Sequence, residues 1–266
     1  MIVNPSEWIN LLLRWTHVFA AILWVGTTYY FTWLDGQLRR AAAHDGNVWM
    51  VHSGGFYTVV KQKTLGVPPS RLHWFRWEAM VTWLSGVMLL GVVYYKGGLL
   101  VDPTEATVSE AMVKAIGIGF LIVGWTVYDL IVRTPIVRRG RLFAVVSLVL
   151  LVASARGLRE VMSARAAYIH VGALFGTIMA ANVWMRILPP QRRMIAAASR
   201  GEPIDPALGA GAKERSKHNT FIVVPTVFLM ISNHFPTATY GNRYGLETMA
   251  VLIVAGWCAA AQLRRA

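Results

Sequence analysis

The sequence is poor in cysteine, in charge and in acidic charge above all. It has one cysteine, Cys258, in 266 residues. A single thiol excludes a disulfide within the chain, a cysteine-based zinc site and the CxxCH attachment of a covalent haem; Cys258 is expected to be a small packing residue. Charged residues make up 15% of the chain, and 13 Asp and Glu stand against 26 Lys and Arg, a net charge of +13. So little charge excludes an ordinary soluble domain. A cleavable leader is also not expected: no basic run precedes the first apolar stretch, which is too long for a signal peptide and is followed by no small-residue cleavage site.

Apolar residues are abundant. The chain is 55% hydrophobic, with 11 Trp and a mean hydropathy of +0.46. Windows of about 20 apolar residues predict an all-α, polytopic integral-membrane helical bundle forming one domain over 1–266. Seven spans are expected, near 8–33, 74–95, 111–132, 142–162, 166–188, 219–236 and 245–263. The fourth is the weakest, because its apolar core runs into Arg156 and Arg159. Basic residues crowd the segments after spans 1, 3, 5 and 7: Arg39, Arg40, Lys61, Lys63 and Arg71, the cluster from Arg133 to Arg141, the run from Arg186 to Lys217, and Arg264-Arg265. The other side has fewer, with acids at Asp102, Glu105 and Glu110. The positive-inside rule then puts the N-terminus outside and the C-terminus inside. The basic loops read as topology signals and contacts to membrane lipids, not as a nucleic-acid footprint.

Ionisable residues inside the spans are the chemical candidates, since burying them in a membrane is costly. In the first span, Arg14 and His17 share a helical stripe with Ala21, Trp24 and Thr28. On that evidence alone His17 is either a ligand or a packing histidine, with Arg14 reaching to the surface. His170 lies about one turn into the fifth span and His234 at the end of the sixth, so with His17 they fall in the outer half of the membrane. Imidazoles from facing helices are how bundles hold haem b iron, and Arg14, with Arg156, Arg159 and Arg165, approaches the same side to meet propionates. His17, His170 and His234 are therefore the candidate iron ligands, with Arg14 and Trp24 as further cofactor contacts.

A second set gathers at the inner face: His44, His52, His73 and His218, the last expected to be a solvated surface residue. The loop from Asp35 to Leu72 holds Val48 to Val60 around Gly54-Gly55, which predicts a small hairpin or tight turn on the membrane surface, followed by Pro68-Pro69. That loop is either the lid or wall of a site or a plain elbow. In LHWFRWEAMVTWLSG (72–86), Glu78 needs a partner, with His73, Arg76 or Lys61 the candidates. Asp129 is an isolated acid expected to pair with Arg133. Gly117, Gly119, Gly124, Gly172 and Gly176 predict close helix packing. The stretch 189–217 reads as a mobile loop, and Pro225 is expected to bend the sixth span and free a carbonyl.

Three stretches, RWTHVFAAILWVGTTYYF (14–31), HSGGFYTVVKQK with LHWFRWEAMVTWLSG (52–86) and NTFIVVPTVFLMISNHFP (219–236), give the chain a resemblance to the membrane domain of the bacterial cytochrome-linked urate hydroxylases. The resemblance runs over nearly the whole chain. It implies an oxidoreductase of purine degradation in the bacterial inner membrane, oxidising urate to 5-hydroxyisourate with electrons passed to a cytochrome c. Members of that family commonly continue into a haem c domain, whereas this chain stops at Arg264-Arg265-Ala266, so a separate cytochrome c or other redox partner on the outer side is expected. Mapped onto this sequence, His52, His73 and Glu78 become catalytic candidates, Lys61 and Arg76 substrate-binding candidates, and His17, His170 and His234 the haem candidates. The alternative is a haem-binding membrane anchor or electron-transfer subunit for another dehydrogenase.

Overall fold

The computed structural model describes residues 4–42, 46–62, 72–102 and 108–265. His44, Lys63, Pro68-Pro69, Arg71 and Glu105 lie outside the described residues. The first helix, α1, spans Pro5–Ala41. The side chain of Asn4 caps it by accepting from the Ser6 amide, Pro5 occupies its first turn, and Arg39 and Arg40 sit in its last turn, where the helix dipole favours cations. At 37 residues it is about 55 Å long, well beyond the roughly 30 Å of a bilayer core. Its excess length carries the predicted hairpin. Strand β1 (Asn47–His52) pairs antiparallel with β2 (Gly55–Val60), in register from Asn47 opposite Val60 to His52 opposite Gly55. Ser53 and Gly54 turn the chain with φ of 50° and 75°, the left-handed pair that a two-residue hairpin turn requires.

The other regular elements among the described residues are mainly α-helices: α2 (Trp77–Leu89), α3 (Glu110–Val132), α4 (Gly140–Arg159), α5 (Ala164–Ala181), α6 (Leu188–Ser199), α7 (Pro206–Ile231) and α8 (Gly245–Leu263). Two helices widen into π turns: α2 at Leu90–Tyr95, and the junction of α5 and α6 at Asn182–Ile187. Six helical segments among the described residues are long and apolar enough to cross a membrane. The expected span at 219–236 falls in α7, whose first half, PALGAGAKERSKHN, is polar. The expected mobile loop over 189–217 is instead mostly helix: α5 runs on through the π turn to Ser199, and α7 begins at Pro206. The helix α7 also continues through Pro225, against which α8 presents Gly256.

The ends of the bundle can be told apart from its contacts. Arg40 donates to the carbonyl of Arg265 at 2.7 Å, and Lys213 lies 3.6 Å from Asp35. The C-terminal ends of α1 and α8 and the N-terminal half of α7 therefore share one end, called here the basic end. Helix α5 forms the centre, with Tyr168, Val171, Leu174 and Phe175 in the main core alongside Leu229 of α7 and Ile253 of α8. Close approach does depend on glycine: a Cβ on Gly124 would stand 2.6 Å from Leu174, and one on Gly117 2.7 Å from His170 Nε2.

At the basic end the helices are tied by one carboxylate. Asp129 Oδ1 accepts from Arg186 Nε at 2.8 Å and Arg215 at 2.7 Å, and Oδ2 accepts from Arg186 at 2.6 Å and Arg133 at 2.5 Å. Arg133 is thus only one of three partners, and the two long-range ones come from the π turn and α7. Arg215 also donates to Asn182 at 3.2 Å, and Asn182 donates to Tyr128 and Asn219, each at 2.9 Å. His218 is buried in this network, not solvated: its Nδ1 meets the Tyr128 hydroxyl at 2.9 Å, its Nε2 lies 3.2 Å from Glu214, and its ring stacks on Phe143. Its place at the start of the expected sixth span suggests exposure, but α7 begins already at Pro206, and Tyr128 of α3 and Phe143 of α4 cover it.

Breaking a buried pair leaves an uncompensated charge and costs on the order of 3 kcal/mol. Asp129→Ala is therefore expected to lower the thermal midpoint of the detergent-solubilised protein markedly. In double-mutant cycles the coupling of Asp129 to Arg215, whose side chain is 9% exposed, should exceed that to Arg133, which is 56% exposed. Equal couplings would contradict this account.

Candidate functional site

The start of α2 holds a group with the opposite property. Arg76 stands just before α2, and its guanidinium carbon lies 5.7, 5.4 and 6.0 Å from the ring centroids of Trp74, Trp77 and Trp184. Trp77 and Trp184 pack edge to face at 6.0 Å. Trp184 arrives from the π turn after α5, and Trp24 of α1, with Ala79 and Leu188, completes the packing around these indoles. Three polar atoms here are buried without a hydrogen-bond partner among the described residues: Arg76 Nε, Glu78 Oε2 and Trp184 Nε1. Buried polar groups are nearly always satisfied, so these three, on residues that contact or adjoin Trp77, make this the candidate place for a polar ligand. No side chain caps the start of α2, so its first amides and dipole add to the attraction for an anion.

The arrangement has the chemistry for a flat anion. Indole faces offer stacking surface, Arg76 a delocalised cation with planar donors, Trp184 a single N–H donor, and Glu78 an acceptor that can also carry a proton. Glu78 also borders a groove of about 380 Å³ along the seam of α1 and α2, whose walls include Trp15, Phe19, Leu23 and Trp77.

The other residues proposed for the inner cluster stand elsewhere. Lys61 is bonded to Asp35 at the end of α1, so it does not supply the partner expected for Glu78. His73 is exposed and packs edge-on to Phe75 at 4.5 Å. His52 is exposed at the end of β1, beside the hairpin turn. Of the set, Arg76 and Glu78 share a neighbourhood, and Trp74, Trp77 and Trp184 join them. The π turn that swings Trp184 toward α2 has no periodic signature that would have revealed it.

The histidines expected to bind haem are seated separately. His17 Nδ1 lies 2.9 Å from the carbonyl of Thr82 and 3.1 Å from Ser85 Oγ, with the ring close against Gly86. His170 is fully buried, its Nδ1 is 2.8 Å from the carbonyl of Ala166, and its Nε2 meets the Tyr95 hydroxyl at 3.0 Å. An Nδ1–H held by a backbone carbonyl is the usual support of a ligating imidazole, because it fixes the tautomer that leaves Nε2 for the metal. Both histidines fit that pattern singly; in His170 the Tyr95 hydroxyl occupies the atom that would bind. His234 is exposed in the turn after α7, Arg14 is exposed and donates to Asn10 at 2.6 Å, and Trp24 packs about two turns from His17, beside Ala79. No group of three or more His, Cys, Asp or Glu among the described residues is arranged to hold a bare metal ion.

Comparison with curated proteins gave no match, and comparison with solved structures gave none. A family model described as urate oxidase N-terminal matches residues 4–264, a range that includes the tryptophan cage, Glu78 and every histidine discussed above. The chain belongs to the urate oxidase N-terminal family.

Proposed function

We propose that the protein is a membrane-bound oxidoreductase that converts urate to 5-hydroxyisourate at the tryptophan cage. The observation that carries this reading is the trio of polar atoms on Arg76, Glu78 and Trp184 without a hydrogen-bond partner among the described residues, beside indoles packed edge to face. Urate is a planar purine, anionic at neutral pH, with carbonyl acceptors around its rim. Stacking on the indole faces orients it, Arg76 neutralises its charge, and the Trp184 N–H fixes one carbonyl. The overall change is urate plus water giving 5-hydroxyisourate, two protons and two electrons. Glu78 is the base that takes a proton from the purine or from the attacking water.

The two electrons go to an acceptor, which in this reading is haem b followed by a separate cytochrome c at the end of the bundle away from the cage. His17, whose Nε2 has no protein partner in the hydrogen bonds described above, would hold the iron, and His170 and His234 are the other candidates for it. Bound there, haem supplies one-electron acceptance. The chain's own part is to keep His17 in one tautomer through Thr82 and to give its ring room at Gly86. The basic end would face the cytosol of a bacterium, where purine breakdown delivers urate.

The purified protein is expected to show a Soret band that is lost in His17→Ala; a colourless preparation would remove haem from the account. Anaerobic addition of urate should reduce the chromophore. Reduction by another dehydrogenase but not by urate would contradict the catalytic reading and leave an electron-transfer subunit. Glu78→Gln should keep the spectrum while slowing urate-dependent reduction on the order of 100-fold. Unchanged turnover would exclude Glu78 as the base.

A further inference from the structure

The proposed site makes no use of the β1–β2 hairpin, yet one face of the hairpin is made of exposed large apolar side chains. Pleating turns Val48, Met50 and Val59 onto Leu34 and Leu38 of α1. It sends Trp49, Val51, Phe56 and Val60 the other way, where they are 66%, 70%, 80% and 57% exposed. Four large apolar side chains on so small a unit form a patch that water alone does not favour.

The contacts along α1 show where this patch lies. Val48 packs on Leu34 and Leu38, whereas Met50 receives a hydrogen bond from the Tyr30 hydroxyl at 3.4 Å. Strand β1 therefore runs back along α1, away from the basic end. The layer of charge at that end is set by Asp35, which is bonded to Lys61 and lies 3.6 Å from Lys213 and 3.9 Å from Arg39. Tyr30 is about 7.5 Å on the membrane side of Asp35 by helical rise. The turn at Ser53–Gly54 lies up to about 10 Å beyond Met50 by strand rise. The Tyr29 hydroxyl, which meets the Thr220 carbonyl, and Arg264, which reaches the Thr220 hydroxyl, each at 2.9 Å, mark the level of Tyr30 and Met50, so the turn lies farther from the basic end than they do.

We propose that the hairpin is inserted tip-first into the leaflet at the basic end, with phospholipid covering the face of Trp49, Val51, Phe56 and Val60. The outer edge of each strand has no partner strand among the described residues, and such edges are not tolerated in hydrocarbon. The hairpin therefore lies at the boundary between headgroups and acyl chains, where Trp is favoured and the strand edges stay hydrated. Lys61, held by Asp35, pins its base among the headgroups. The acyl-facing depth increases along the strands from Asn47 and Val60 to Val51 and Phe56.

The test uses the full chain with Cys258→Ala, reconstituted into vesicles of phosphatidylcholine and phosphatidylglycerol. Nitroxide labels are placed through Phe56→Cys, through Val51→Cys as an independent second position, and through Asn47→Cys at the base. Collision rates with oxygen and with a water-soluble nickel chelate give depth. Labels at 56 and 51 are expected to favour oxygen over nickel several-fold, and the label at 47 to show the reverse. Nickel access at 56 and 51 equal to that at 47 would place the hairpin in water and overturn the proposal. Strong immobilisation with access to neither reagent would mean that protein, such as a second copy, covers the face, and would overturn it equally.

Discussion

A charge inside a membrane bundle persists only where it is matched, and Asp129 sets that balance for this fold. Its four hydrogen-bonding positions are all taken, by guanidiniums from its own helix, from the π turn after α5 and from α7. Three segments far apart in sequence are fixed at one end by that saturation. The π turn is part of the device: its extra residue per turn brings Asn182 and Arg186 into the network and leaves Trp184 against Trp77. A fully satisfied network reads as structure. Beside the same turn, Arg76, Glu78 and Trp184 keep buried polar atoms without partners among the described residues. The contrast between a saturated cluster and an unsatisfied one, joined by a single π turn, is the physical basis for placing the ligand at the second.

Much of the architecture was legible in the sequence because membranes simplify it. Runs of about 20 apolar residues point to a polytopic helical bundle, and six helical segments among the described residues are long and apolar enough to cross a membrane. Two of them pass their expected ends: α1 runs on to Ala41, and the segment from Ala164 runs on to Ser199. The hairpin was legible from Gly54-Gly55 between β-prone runs. What failed was polarity in helices. The segment 189–217 is rich in proline, glycine and charge, yet Pro189 and Pro206 sit in the first turns of α6 and α7, where proline is tolerated. His218 looked solvated because a linear reading cannot see Phe143 and Tyr128 covering it.

The candidate site was half legible. Arg76 and Glu78 stood out as charges near a membrane boundary, and His17 and His170 as imidazoles inside spans. The pairing of Lys61 with Asp35 and the arrival of Trp184 depend on contacts across 26 and about 100 residues, which no local pattern encodes. The two π turns divide the tasks in a simple way. One carries Asn182, Trp184 and Arg186 to the basic end; the other carries Tyr94 and Tyr95 toward Asn233 and His170. Each widens a helix where a polar group must enter the bundle.

The central claim is that the orphaned atoms of the cage are there for a purine anion. Equilibrium binding of radiolabelled urate to the wild-type protein and to Trp184→Phe tests it most directly, because that change removes the indole N–H while keeping an aromatic ring. The account predicts about tenfold weaker binding, the value of one buried hydrogen bond to a ligand, with the thermal midpoint unchanged. Equal affinity for the two proteins would contradict it.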